Sequence, residues 1–165
     1  MQIFLKIIDN FNKLVGLILA LMLAVMSILI LTQIFTRFVI NYPLHWTEEV
    51  ARYLMVYSVF LGAALALRQN KLIAIELLNQ ALGESKEKIL KVIIMLISLV
   101  FFIILFFQGI EILGMVNVQT SAGLGISMAI PYAAIPVGAA LMAINAIAVI
   151  LETLLHFKKV ESEGI

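Results

Sequence analysis

Apolar residues run along this chain in four long stretches, and the charged positions fall almost entirely between them. From Leu14 to Thr36 there are twenty-three residues without a charge, which predicts a first spanning helix over 14–36. About 20 apolar residues suffice to cross a hydrocarbon core of about 30 Å. The second stretch, Tyr53–Leu67, is shorter and lies between Arg52 and Arg68. Extended to 47–69 it spans, provided both guanidinium heads turn to water along their stems. Thr47 is then the expected N-cap, with Glu48 and Glu49 in the first turn. Lys91 and Glu111 bound a third span over 91–111. No charge occurs from Ile112 to Leu151, and local breakers divide that length. Gly123, Gly125 and Ser127 interrupt a helix, and Pro131 suits the first turn of the next. The fourth span is expected over 131–152, with a bend near Pro136. The pattern predicts an all-α integral membrane protein with four transmembrane helices.

Composition agrees with that class. Apolar residues make up 64% of the 165 positions and charged residues 13%, against roughly 45–50% and about 25% in soluble domains. So few charges cannot cover a water-facing surface. The first run exceeds the 7–15-residue apolar core of a secretory signal and is read as a retained helix. Orientation follows from Lys and Arg. The two tails and the middle connection together carry nine, and the other two connections carry Arg37 and Arg52 alone. Nine against two predicts an N-in, C-in topology. Residues 70–90 then form a cytoplasmic connection, and 112–130 form an outer, largely apolar link lying at the membrane surface or packed on protein. Tyr42, Trp46 and Tyr53 fall in the outer aromatic belt.

The same pattern excludes several chemistries. There is no cysteine, hence no disulfide, thiol redox centre or thiolate metal site. His45 and His156 are too far apart in sequence for a two-histidine metal site on one helix turn, and no phosphate-cradling glycine loop or nucleophile triad occurs. A net charge of +1 offers nothing to nucleic acid. No catalytic residue and no cofactor is expected. A proton-coupled small exporter needs a carboxylate inside the membrane; spans one and four carry none in their interiors, and Glu48, Glu49, Glu111 and Glu152 all fall near span ends.

The densest polar cluster is Trp46, Glu48, Glu49 and Arg52. Glu48 and Arg52 are four apart and Glu49 and Arg52 three apart, so one guanidinium could be held by two carboxylates. Such a cluster either neutralises a helix start at the membrane boundary or forms a fixed docking surface for a partner. Gly62, Ala63, Ala64 and Ala66, like Gly138, Ala139, Ala140 and Ala143, make small-residue faces that let helices approach closely in lipid. These pack within the chain or form a seam with another protein. Glu111 reads as an interfacial anchor rather than a buried acid.

The run from Trp46-Thr-Glu-Glu-Val-Ala-Arg-Tyr through Phe60-Leu-Gly-Ala-Ala to Arg68 resembles the small membrane subunit of tripartite ATP-independent periplasmic (TRAP) transporters. Glu76 matches that family's following acid, while Leu72 stands where its histidine is usual. Leu124-Gly125-Ile126, Pro131-Tyr132 and Pro136-Val137-Gly138 form a second match. The resemblance implies a DctQ-type small permease in a bacterial inner membrane. Its partners would be a large multi-helix membrane subunit carrying the substrate and sodium sites, a periplasmic substrate-binding protein, and membrane lipid. It further implies a non-catalytic role in importing organic acids. Trp46, Glu48, Glu49, Arg52, Tyr53, Gly62, Arg68 and Glu76 would then be structural and subunit-interface residues. The alternative is a self-sufficient small carrier working as a homo-oligomer.

Overall fold

The computed structural model describes residues 2–42, 44–69 and 84–163. Five helices follow one another: α1 Gln2–Phe38, α2 His45–Arg68, α3 Glu84–Val116, the single turn α4 Ala129–Tyr132, and α5 Ala134–Glu163. Four stretches, in α1, α2, α3 and α4–α5, are long and apolar enough to cross a membrane. Among the described residues the one β pairing is an isolated bridge between Thr120 and Ser127. The expectation at Glu76 lies outside the described residues.

The helices overrun the expected spans because an apolar core sets only a minimum length. With 37 residues, α1 reaches about 55 Å. At its C-terminal end α3 continues past Glu111 through Gly114 to Val116. A Cβ at Gly114 would meet nothing, so that glycine carries only its entropic penalty. Glu111 is therefore inside the helix rather than at its end. It is exposed, and it has no hydrogen-bonded or ionic partner among the described residues. Pro131 sits in the turn of α4. The break at Ala133 has its cause three residues on. Pro136 lacks the N–H that would bond the Tyr132 carbonyl, and the helix resumes through Val137 N–H to the Ala133 carbonyl at 3.1 Å.

In space the helices run α1, α2, α5, α3, with neighbours in contact along their lengths. Half of the most apolar window of α4–α5 is buried, against 6% in α1 and 11% in α3. So α2 and α5 form the centre, and α1 and α3 are outer staves. Ala64 and Leu67 of α2, Met142, Ala146 and Val149 of α5, and Met95 and Phe102 of α3 make one core. Two glycines set the close approaches. A Cβ on Gly138 would lie 2.5 Å from the Phe60 Cβ, and one on Gly109 would lie 2.9 Å from the Pro136 Cδ. Side chains this small are what helix pairs need where lipid offers no hydrophobic driving force. The small-residue faces of α2 and α5 thus pack largely within the chain, although Ala63 is exposed.

Candidate functional site

Polar side chains concentrate at two levels of this bundle. Twenty helical steps separate Glu48 from Arg68, or about 30 Å, which matches the thickness of a hydrocarbon core. Each level ties different helices together.

At the Arg68 end, three helices meet on one guanidinium. Arg68 Nε donates to Asp9 Oδ1 at 2.9 Å, while Nη1 and Nη2 grip the two Glu152 oxygens at 2.6 and 2.5 Å. A planar fork suits this two-point hold on a carboxylate. The Arg68 side chain is only 10% exposed, whereas Asp9 and Glu152 keep 46% and 37% of theirs open. Both carboxylates therefore remain partly hydrated, which reduces the desolvation penalty of a buried pair. About one turn further in, Asn12 of α1 and Asn145 of α5 bond each other through both amide groups, at 2.7 and 2.9 Å. Asn145 also donates to the Ala64 carbonyl at 2.8 Å, and Asn12 to that of Ile8 at 2.9 Å. Both amides are buried, Asn145 at 1% exposure. Together these contacts lock α1, α2 and α5 at one end.

At the Glu48 end the carboxylates divide their work. Glu49 accepts from the backbone N–H groups of Gly123 and Leu124 through one oxygen, at 2.8 and 2.9 Å, and from the Tyr53 hydroxyl through the other. The segment it holds is a small hairpin. Met128 N–H bonds the Gln119 carbonyl, Ser121 N–H bonds that of Ile126, and Gly125 turns the chain at φ +66°. Tyr57 adds a bond from its hydroxyl to the Ile130 carbonyl at 2.7 Å. The link after α3 is thus packed on α2, one of the two alternatives open from the sequence.

Two sequence expectations change here. Arg52 is not forked between two acids: it bonds Glu48 alone, at 3.0 Å, and both side chains are more than half exposed. Glu49 is drawn away by the hairpin's unpaired amides. Nor is Thr47 the N-cap. The helix begins at His45 after Leu44, and the Thr47 hydroxyl bonds the Leu44 carbonyl at 2.7 Å.

The other singled-out residues spread over the bundle. Trp46 is exposed, Tyr53 lies under the hairpin, and Gly62 faces Leu19 of α1 at ordinary contact distance. The partnerships of Asp9, Asn12, Asn145, Glu152 and Gly123 are not legible in the sequence, since each residue acquires meaning only across 59 or more positions. An Asn inside an apolar run is the one signal that could have flagged Asn145. Among the described residues no three His, Cys, Asp or Glu side chains group as a metal site.

Comparison with known proteins bears on the same segments. Residues 26–156 match the family described as tripartite ATP-independent periplasmic transporters, DctQ component. A Haemophilus influenzae protein of the TRAP transporter small permease kind is 35% identical over 82 residues, covering 50% of this chain and 51% of the relative. The Vibrio cholerae sialic acid TRAP transporter small permease protein SiaQ is 29% identical over 143 residues, covering 83% and 78%. The Haemophilus influenzae sialic acid TRAP transporter permease protein SiaT is 34% identical over 122 residues, 74% of this chain and 20% of SiaT. The chain thus spans about half of the first relative and a fifth of SiaT. With 131 consecutive residues matched by the family and four helices fit to cross a membrane, the chain belongs to the DctQ-component family of TRAP transporters, as a multi-pass protein of the inner membrane.

Proposed function

We propose that this chain is the small, non-catalytic membrane subunit of an ion-gradient-driven importer, and that it braces a large transport subunit. Sodium is the proposed coupling ion and an organic acid the cargo, handed over by a periplasmic binding protein. The Arg68 end faces the cytoplasm and the Glu48 end the periplasm, in keeping with the Lys and Arg bias.

The observation that carries this reading is where the acids go. Asp9 and Glu152 are held by Arg68, Glu49 holds the hairpin, and Glu48 holds Arg52. Glu111 lies on the outer surface of α3. Among the described residues no acid is buried in the core between α2, α3 and α5. A carrier needs an ionisable or coordinating group on its ion path; among the described residues Asp9 and Glu152 join helices, Glu48 and Glu49 hold one end of α2, and Glu111 stands exposed. The exposed apolar flanks of α1 and α3 leave surface for a large partner. The match to SiaT also fits, because there four fifths of the chain lies outside the corresponding segment.

Co-purification of a tagged full-length chain tests the reading. A stoichiometric multi-helix membrane partner is expected in mild detergent. Recovery of the chain only as copies of itself would favour the self-sufficient carrier.

A further inference from the structure

An apolar groove of about 290 Å³ runs along the surface between α2 and α4–α5. Val56 and Phe60 form one wall, Pro131 and Ile135 the other, with Tyr132 at its side and Arg52 at its mouth. At Phe60 the groove ends, where Gly138 allows the two helices to touch. From Arg52 to Phe60 the groove descends eight helical steps, about 12 Å, into the hydrocarbon. One extended acyl chain matches an apolar slot of that depth.

The mouth carries a paired charge. Arg52 uses Nη2 on Glu48, its one partner among the described residues. A guanidinium has five N–H donors, so Nε and Nη1 remain for a second anion. Glu48 accepts from Arg52 and, at 3.3 Å, from Gln33. A carboxylate has about four lone-pair sites, so it too has capacity left. Both side chains are more than half exposed and stand at the level of one membrane surface. Side chains on a helix lean toward its N-terminus, which carries the Arg52 head outward to headgroup depth.

We propose that this groove holds one phospholipid with an ammonium headgroup, of the phosphatidylethanolamine type. Its phosphate lies on Arg52, its ammonium on Glu48, and one acyl chain fills the slot down to Phe60. The charge order of the mouth selects a zwitterion, since Glu48 beside Arg52 disfavours a lipid bearing only negative charge. A primary ammonium can donate to Glu48, which a trimethylated one cannot. This site is independent of the transporter reading, and it asks nothing of α1 or of the Arg68 cluster.

Lipid retained by the full-length chain after delipidation, read by native mass spectrometry from nanodiscs of mixed phosphatidylethanolamine, phosphatidylglycerol and phosphatidylcholine, tests it. One phosphatidylethanolamine per chain is expected, with about tenfold less retained in Arg52→Ala, the scale of a lost charge-assisted bond. Val56→Trp, which fills the slot, is expected to release the lipid with Arg52 intact. Thermal unfolding of each variant shows whether the fold is kept, and Arg52→Ala, at an exposed position, supplies the reading if Val56→Trp does not fold. Equal retention of phosphatidylglycerol or phosphatidylcholine would overturn the proposal. So would retention indifferent to Arg52→Ala, or a photocrosslinker at Val56 that captures a protein helix instead of lipid.

Discussion

Asn12 and Asn145 stand 133 positions apart and bond each other through both amide groups, at 2.7 and 2.9 Å, between the first helix and the last. In an apolar surround an amide left alone has no water to turn to. Asn145→Leu is expected to lower stability by about 1–3 kcal/mol, because Asn12 keeps its polarity and loses its partner. The Asn12→Ala and Asn145→Ala double variant should lose less than the two single losses combined. Thermal unfolding in detergent across that cycle would show coupling of about 0.6–1.7 kcal/mol, between the average and the largest values for hydrogen bonds between membrane helices. Strict additivity would mean the pair does not act as a unit.

The two arginines of α2 should behave unequally. Arg68 is 10% exposed and holds two partly open carboxylates, so Arg68→Ala is placed between the exposed and buried cases, at about 2–3 kcal/mol. Arg68→Lys should recover only part, since an ammonium cannot grip both Glu152 oxygens and Asp9 with the geometry of a fork. Arg52 is 66% exposed on its one ion pair, and Arg52→Ala should cost under about 1 kcal/mol of fold stability. Melting temperatures of the three variants decide it, and a larger loss at Arg52 than at Arg68 would reverse the assignment.

Glu49 fastens the hairpin through two backbone amides. Glu49→Ala should expose the Gly123 and Leu124 N–H groups and loosen the hairpin by about 1.5–3 kcal/mol, the usual range for hydrogen bonds to a charged group. Gly123→Ala should act alike, because its Cβ would lie 2.5 Å from a Glu49 oxygen. Hydrogen exchange reads both directly: faster exchange confined to 119–128 is expected, with the helix core unchanged. Faster exchange throughout α2 and α5 would mean the clasp holds the whole bundle.

The four spans were readable because each rests on a local signal. Apolar length, glycine breakers and proline at a first turn act within a few residues. What the chain does not announce is partnership at a distance. Glu49 lies three residues from Arg52 and on that ground looks committed to it; the hairpin amides 74 and 75 positions away are the better partners. Arg68 reads as a head turned to water, until Asp9 and Glu152 arrive from the two ends of the chain. Helix ends were also set late. Leu44, not Thr47, precedes α2, since a buried threonine can satisfy its hydroxyl on a carbonyl one turn back.

Orientation is open to a direct check, because the chain contains no cysteine and single cysteines report cleanly. Asn10→Cys and Glu84→Cys should be shielded from a membrane-impermeant reagent in whole cells, and Gln119→Cys should react. Ser121, though in the same link, is 6% exposed and makes a poor reporter. Labelling of position 84 from outside would invert the topology.

The central claim is that the chain supports transport without performing it. Uptake of labelled organic acid by liposomes holding only the purified chain, under an inward sodium or proton gradient, tests this most directly. The account predicts no uptake above empty liposomes, and uptake restored when the co-purified membrane partner and a binding protein are added. Gradient-driven uptake by the chain alone would contradict it.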